Sequence, residues 1–222
     1  MFDRISPRYD LLNRILSAGL DIRWRRRAVD LLGDLHGRTV LDLCCGSGDF
    51  MAIMHHKYGS DVKLIGIDFA RRMLDVAVRR LAAVKSNLIL CQGDALALPC
   101  RDGTVDAVTI GFGIRNIADK AAALSEILRI LCPGGRLVIV EPAIPKNRLW
   151  RLLFSFYFGA VMPMVGGIIS GDRGAYRYLH DSVATFPDPD EFVALMQAAG
   201  FARASAIPQT LSTAMIYFAE KA

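Results

Sequence analysis

Short apolar runs and helix-spaced stripes take turns along this chain. Residues 1–36 place Leu11, Leu12, Ile15 and Leu16 at helical spacing, so the opening segment reads as helix. Compact apolar runs follow at 39–43 (TVLDL), 63–67 (KLIGI), 88–91 (LILC), 105–110 (VDAVTI) and 136–140 (RLVIV). Each has the length and composition of a strand buried on both faces. Between them the helical period returns. Met73, Val76, Ala77 and Leu81 share one side of 69–82. Leu124, Ile127, Leu128 and Leu131 form a stripe within 120–131, which Pro133-Gly134-Gly135 ends. Further on, Asp188 as N-cap, Pro189 at the first helical position and Glu191 at the third open a helix. Its stripe is Phe192, Leu195, Met196 and Ala199, and Gly200 closes it. Residues 202–207 and 213–219 read as a final hairpin. The alternation predicts an α/β fold, a doubly wound, mostly parallel seven-stranded sheet with ligands outside the carboxyl ends of its strands.

One stretch breaks the rhythm. No side chain from Leu152 to Gly171 is charged, a run long enough to raise a transmembrane span. Gly159, Pro163, Gly166 and Gly167 interrupt it, and a span would strand the chain's last part across the membrane from its own sheet. It reads instead as a greasy lid. The expected organisation is a single domain over 1–222, with a basic helical segment at 1–36 and an acceptor-side apolar insertion at 146–185. The lid also locates part of the mean hydropathy of +0.31, which is high for a soluble protein.

Charge adds a second asymmetry. The net charge is +5, and residues 1–27 hold seven arginines against Asp3, Asp10 and Asp21. That excess suits a solvated helix face, an anionic lipid surface or nucleic acid. Cys44, Cys45, Cys91, Cys100 and Cys132 form no C-x-x-C pair, and the four histidines complete no zinc-like spacing, so no metal is expected. An odd number of cysteines, two of them adjacent, argues for a reducing cytoplasm. The start, MFDRISPRYD, lacks the apolar core of an export signal.

Candidate chemistry begins where the first strand ends, in Asp42-Leu43-Cys44-Cys45-Gly46-Ser47-Gly48-Asp49. Glycines after a first buried strand let a ligand approach the backbone. Asp68 closes the second strand, where a carboxylate can hold two ribose hydroxyls. The combination points to an adenosine-type ligand. A dinucleotide would need a third small residue, but Met51 stands there, and Asp49 occupies a helix start that a pyrophosphate would need positive. The D-x-x-x-G-x-G form of Asp42, Gly46 and Gly48 instead resembles the first motif of class I S-adenosylmethionine-dependent methyltransferases, in which a carboxylate can face a sulfonium and an amino group. Asp94-Ala95, after the third strand, resembles the adenine-binding motif of that superfamily.

The likeness narrows further on. Phe2-Asp3-Arg4-Ile5, Tyr9-Asp10-Leu11-Leu12-Asn13, Leu16-Ser17-Ala18-Gly19 and Trp24-Arg25 resemble the opening of the ubiquinone/menaquinone biosynthesis C-methyltransferases. So do Gly111-Phe112-Gly113-Ile114-Arg115-Asn116 and Leu128 through Gly135, and later Ile169-Ser170-Gly171-Asp172, Tyr176 through Leu179, Asp181-Ser182 and Phe186-Pro187. The resemblance implies cofactor contacts at Ser47, Asp68, Asp94 and Ala95. Gly111 falls where some members carry a cofactor-contacting serine. Cys44-Cys45 replaces the usual Ala-Gly, and the tail, usually glycine-containing, reads Thr210-Leu-Ser-Thr-Ala214. The implied reaction is methylation of a ring carbon of a polyprenyl hydroquinone, demethylmenaquinol to menaquinol or the corresponding ubiquinone precursor. An RNA methyltransferase and a non-catalytic cofactor-binding scaffold are the alternatives, although nucleic acid is not the expected partner.

An electron-rich ring requires a phenolate or something close to it, so the protein should stabilise an anion and take up the proton from the methylated carbon. Arg115, after the fourth strand, is the expected anion contact, and Tyr176, Asp172 and His180 are expected to line the acceptor or relay the proton. Trp24 and Trp150 flank the basic and greasy segments, which suggests peripheral contact with the cytoplasmic membrane. Pairing with a second copy is also allowed for.

Overall fold

The computed structural model describes Arg14, residues 17–84, 87–156 with side chains as far as Leu152, Gly159, and residues 181–222. The expected catalytic residues Asp172, Tyr176 and His180 lie outside these, as does most of the 146–185 insertion. Seven strands form one sheet: β1 (Thr39–Leu43), β2 (Lys63–Asp68), β3 (Leu88–Gln92), β4 (Val105–Gly111), β5 (Leu131–Pro142), β6 (Arg203–Gln209) and β7 (Ala214–Glu220). Their spatial order is β3-β2-β1-β4-β5-β7-β6. The first five pair in parallel, whereas β7 runs antiparallel between β5 and β6. The order reverses direction between β1 and β4, which opens a crevice at the carboxyl ends of these two strands.

Helices cover both faces: α1 (Leu20–Leu31), α2 (Asp49–Tyr58), α3 (Arg71–Arg80), α4 (Lys120–Ile130), α5 (Arg148–Phe156) and α6 (Pro189–Ala198). Successive β1 residues point to opposite faces. Val40 joins Trp24, Val29, Met51, Met54 and Leu74 on one side. Leu41 and Leu43 join Leu124, Ile127, Phe192 and Met196 on the other. The capping box expected at Asp188 and Glu191 is present, the Asp188 N–H donating to Glu191 Oε2 at 3.1 Å.

Two of the boundaries that differ from the sequence reading have a visible cause. The stripe that placed Leu131 in a helix is cut one residue earlier, because Leu131 turns extended and pairs with Val105. The chain then bulges through Pro133-Gly134-Gly135 before Arg136 pairs with Ala107. Lys221 Nζ ties down the helix end by donating to the carbonyls of Leu128 and Leu131 at 2.8 and 2.7 Å. At the other boundary, Phe69 and Ala70 stay out of α3 because Asp68 Oδ1 accepts from the Ala70 N–H at 2.8 Å. Phe69 is left exposed.

Two residues of the N-terminal helix depart from their expected place. Trp24 and Arg25, expected at a lipid surface, are only 7% and 4% exposed. Trp24 Nε1 donates to Thr210 Oγ1 at 2.9 Å, in the turn between β6 and β7. Thr210, Leu211 and Ser212 there all take positive φ without the help of a glycine. Arg136 Nη1 donates to the Leu32 carbonyl at 3.0 Å and fixes the other end of α1. Among the described residues no helix is long and apolar enough to cross a membrane.

Candidate active site

The crevice between the ends of β1 and β4 is a cavity of about 310 Å³. Asp42, Gly46, Ser47, Asp68, Asp94, Ala95 and Gly111 all line it, on four neighbouring strand ends and their loops. Gly48 stands just behind, as the left-handed residue that starts α2. Its φ is +84°, and a Cβ there would come within 2.7 Å of Leu81 Cδ1. Glycine is therefore required both by conformation and by the closeness of α3.

Asp68 does two things. Its Oδ2 accepts from the Gly46 N–H and its Oδ1 from the Ala70 N–H, both at 2.8 Å. One carboxylate thus clasps the glycine loop and starts the turn into α3. A carboxylate offers about four acceptor positions in all. Asp94 is similar on a smaller scale: its Oδ1 accepts from Leu96 N at 3.0 Å, and the residue itself is exposed.

Asp42 contrasts with both. It is 2% exposed and accepts from Thr109 Oγ1 at 2.7 Å. Burial pushes its carboxyl up to about 7, only partly opposed by the Thr109 hydrogen bond and Arg25. A buried acid poised there would be stabilised as an anion by any cation brought against it. Its neighbour Cys44 takes a left-handed conformation at φ +55° and lines the cleft, while Cys45 packs into the core beside Gly66. The fold thus absorbs both thiols at the Ala-Gly position. Burial pushes both thiols well up, so neither is a ready nucleophile.

At the β4 end, Arg25 of α1 lines the cleft. Its Nη1 donates to Asp21 Oδ2 at 2.7 Å, and its Nη2 lies 3.4 Å from Asp49 Oδ2. Asp49 also meets Arg80 at 2.7 Å and Arg14 at 2.9 Å. Burial raises the Asp49 carboxyl, but the fields of Arg25, Arg80 and Arg14 outweigh it and hold the group below its ordinary value. The Arg25 guanidinium lies over the Phe112 ring, 4.7 Å from its centroid, and 5.8 Å from that of Phe50.

Arg115 has other neighbours. Its side chain is 6% exposed, and Nη1 donates to Glu141 Oε2 at 2.7 Å and to the Phe112 carbonyl. It is not among the residues lining the cleft, though Asn116 beside it is. Burial raises Glu141 against the pull of Arg115.

A family model covers residues 1–221 of this sequence, and its description is the ubiE/COQ5 methyltransferase family. The chain belongs to the ubiE/COQ5 methyltransferase family. A relative from Thermus thermophilus named demethylmenaquinone methyltransferase is 50% identical over 90% of this chain and 91% of its own length. One from Geobacter sulfurreducens, named ubiquinone/menaquinone biosynthesis C-methyltransferase, is 43% identical over 100% of this chain and 87% of its own. Among solved structures, an Aquifex aeolicus SAM-dependent methyltransferase aligns with a TM-score of 0.66 at 17% identity, covering 91% of this chain and 92% of that one. At that identity the likeness concerns the fold.

Within this ubiE/COQ5 chain the cofactor residues expected from sequence converge on one cleft. Of the expected catalytic residues, Arg115 is described, and its guanidinium is engaged by Glu141. Arg25, Phe50 and Phe112 were missed as cleft residues. Their signal in the sequence was slight, since Trp24-Arg25 reads as one more pair in a basic amphipathic helix.

Proposed function

We propose that this protein transfers a methyl group from S-adenosylmethionine to a ring carbon of demethylmenaquinol, giving menaquinol. What carries the reading is the 50% identity, over nearly the full length of both chains, to a protein named for that substrate. The cleft supports the cofactor on its own terms. Asp42, Asp68 and Asp94 present carboxylates to a cationic, hydroxyl-bearing ligand, and Asp49 at the start of α2 would oppose a pyrophosphate. When bound, S-adenosylmethionine supplies a methyl on a positively charged sulfur.

The chain's own residues then divide the work. Asp94 and Ala95 hold the adenine edge, Asp68 the ribose hydroxyls, and Asp42 faces the positive charge. Asn116, Ile117 and Phe112 border the acceptor side. Arg115 is a positioning residue, holding the Phe112–Asn116 loop against β5 through Glu141. Asp172, Tyr176 and His180 remain our candidates to receive the ring proton.

Membrane contact falls to α5. Leu149, Trp150 and Leu152 are 65%, 41% and 68% exposed, a greasy surface from which a polyprenyl tail can enter without crossing water. Trp24 and Arg25 take no part in it.

Incubation with labelled S-adenosylmethionine and each acceptor tests the function. Label extracted with menaquinone supports it. Label only on a ubiquinone precursor moves it to ubiquinone biosynthesis, and label on tRNA overturns it. Trp150→Ala should reduce co-sedimentation with lipid vesicles, and equal sedimentation would remove α5 from the membrane face.

A further inference from the structure

The sheet order arranges the cleft as a sequence of sites. Asp94 follows β3, Asp68 ends β2, Asp42 and the glycine loop end β1, and Gly111 ends β4, and these strands are neighbours in that order. An adenosyl amino acid laid across them places adenine, ribose, sulfur and amino-acid group in the same order. Its last group, a carboxylate, then falls at the β4 end, beside Arg25.

Three observations there point to an anion. First, Arg25 Nε is buried with no hydrogen-bond partner among the described residues, although Nη1 and Nη2 are engaged by Asp21 and Asp49. An orphaned donor of this kind is costly to bury unless an acceptor arrives. Second, the guanidinium is held in place by Phe112 and Phe50, with Nε 3.3 Å from where a Cβ on Gly111 would stand. The donor therefore reaches the cleft floor only because residue 111 carries no side chain. Third, Arg14, Arg25 and Arg80 gather around Asp21 and Asp49, three positive groups on two negative ones. One further carboxylate balances them.

We infer that Arg25, oriented by Asp21 and Asp49, anchors the carboxylate of the amino-acid moiety of S-adenosylmethionine. The inference rests on the cofactor reading above. A quinol phenolate is the other anion at hand, but Arg25 is only 4% exposed and walled in by Phe50 and Phe112, which leaves no room for a prenylated ring.

Titration calorimetry with the intact protein tests it using three probes: S-adenosylhomocysteine, its decarboxylated analogue, and 5′-methylthioadenosine, which lacks the whole amino-acid group. Loss of a charge-assisted hydrogen bond should cost about 10- to 100-fold in affinity. Wild-type protein should therefore bind S-adenosylhomocysteine that much more tightly than the decarboxylated analogue, a comparison that needs no variant. Arg25→Gln should weaken S-adenosylhomocysteine by a similar factor and leave methylthioadenosine unchanged. Arg25→Lys keeps the charge for Asp21 and Asp49 and should lose part of the difference. Equal wild-type affinity for the carboxylated and decarboxylated ligands would overturn the inference, and so would an Arg25→Lys variant that weakens all three probes alike. Failure of the wild type to bind any of the three would instead remove the cofactor reading itself.

Discussion

Arg25 and Arg115 are both buried, both paired with acids and both in contact with Phe112, one with its ring and the other with its carbonyl, yet they belong to different parts of the machine. Arg115 is bound within its own neighbourhood: one guanidinium nitrogen meets Glu141 and the carbonyl three residues before it. Arg25 is held by two acids from different helices and lines the cleft, which Arg115 does not. Position along the chain favours Arg115, since it follows a strand end in a recognisable motif. Contact geometry favours Arg25. A strand end marks where ligands bind, but it does not say which way the next side chain turns. That direction depends on what the fold needs to neutralise, and here β5 carries a buried glutamate directly beneath.

The largest test of this contrast removes that glutamate. Glu141→Ala leaves Arg115 buried without its acid and should cost about 3–5 kcal/mol of stability, a fall in melting temperature of roughly 10 °C or more. Affinity for S-adenosylhomocysteine in the folded fraction should stay the same. A large loss of affinity with little loss of stability would erase the distinction between the two arginines.

Next comes Asp68→Ala, which removes a ligand contact and the clasp on Gly46 together. It should weaken cofactor binding by about 1.5–3 kcal/mol. Calorimetry with unchanged affinity would take Asp68 out of the ribose site.

Asp42 gives a pH signature. Its carboxyl titrates at about 7 in the folded protein, raised by burial from an ordinary 3.8. The fold therefore binds that proton more tightly than the unfolded chain, so this group makes the protein less stable as pH rises from 3.8 to about 7. Binding a cation beside it requires the anion. Affinity for S-adenosylmethionine should be flat above pH 7 and fall toward tenfold per unit below it. Asp42→Asn should flatten that profile, bind more weakly at pH 8, and melt at a higher temperature there. Thr109→Val, which removes a hydrogen bond favouring the anion, should move the break to higher pH. A wild-type profile flat between pH 5 and 8 would show that Asp42 does not face the cofactor's charge.

The smallest effect sharpens the contrast from the other side. Arg115→Lys keeps the ion pair with Glu141 but loses the planar fork, at a cost near 1 kcal/mol in stability. Turnover should drop while S-adenosylhomocysteine affinity holds. Wild-type turnover would make Arg115 a purely structural group.

The strands and the adenosine-binding acids were legible because each depends on neighbours close in sequence. Asp68 ends an apolar run and bonds to residue 70, and Gly48 begins the helix it permits. The α4–β5 boundary was misread because Leu131 suits a helical stripe and a buried strand equally well, and only its pairing with Val105 separates the two. Arg25 was misread for a longer-range reason. Its partners come from α1 and α2, its aromatic supports from α2 and the loop after β4, and its opening from the bare backbone at Gly111. No local pattern encodes that assembly, and a basic helix on a basic protein invites a reading at the surface.

The hydrogen bond from Trp24 to Thr210 spans 186 residues. It docks the helix carrying Arg25 against the turn between β6 and β7. Contacts of such sequence separation form late, because most of the intervening chain must already be ordered. During synthesis the adenosine-binding strand ends and the contacts of Arg25 with Asp21, Asp49 and Phe112 can assemble before residue 210 emerges, and the Trp24 contact is added afterwards. A nascent chain halted before residue 210 should hold the parallel half of the sheet and lack the Trp24 anchor of α1. The helix that carries Arg25 then gains this second anchor, beside the one from Arg136, only after the cofactor cleft has formed.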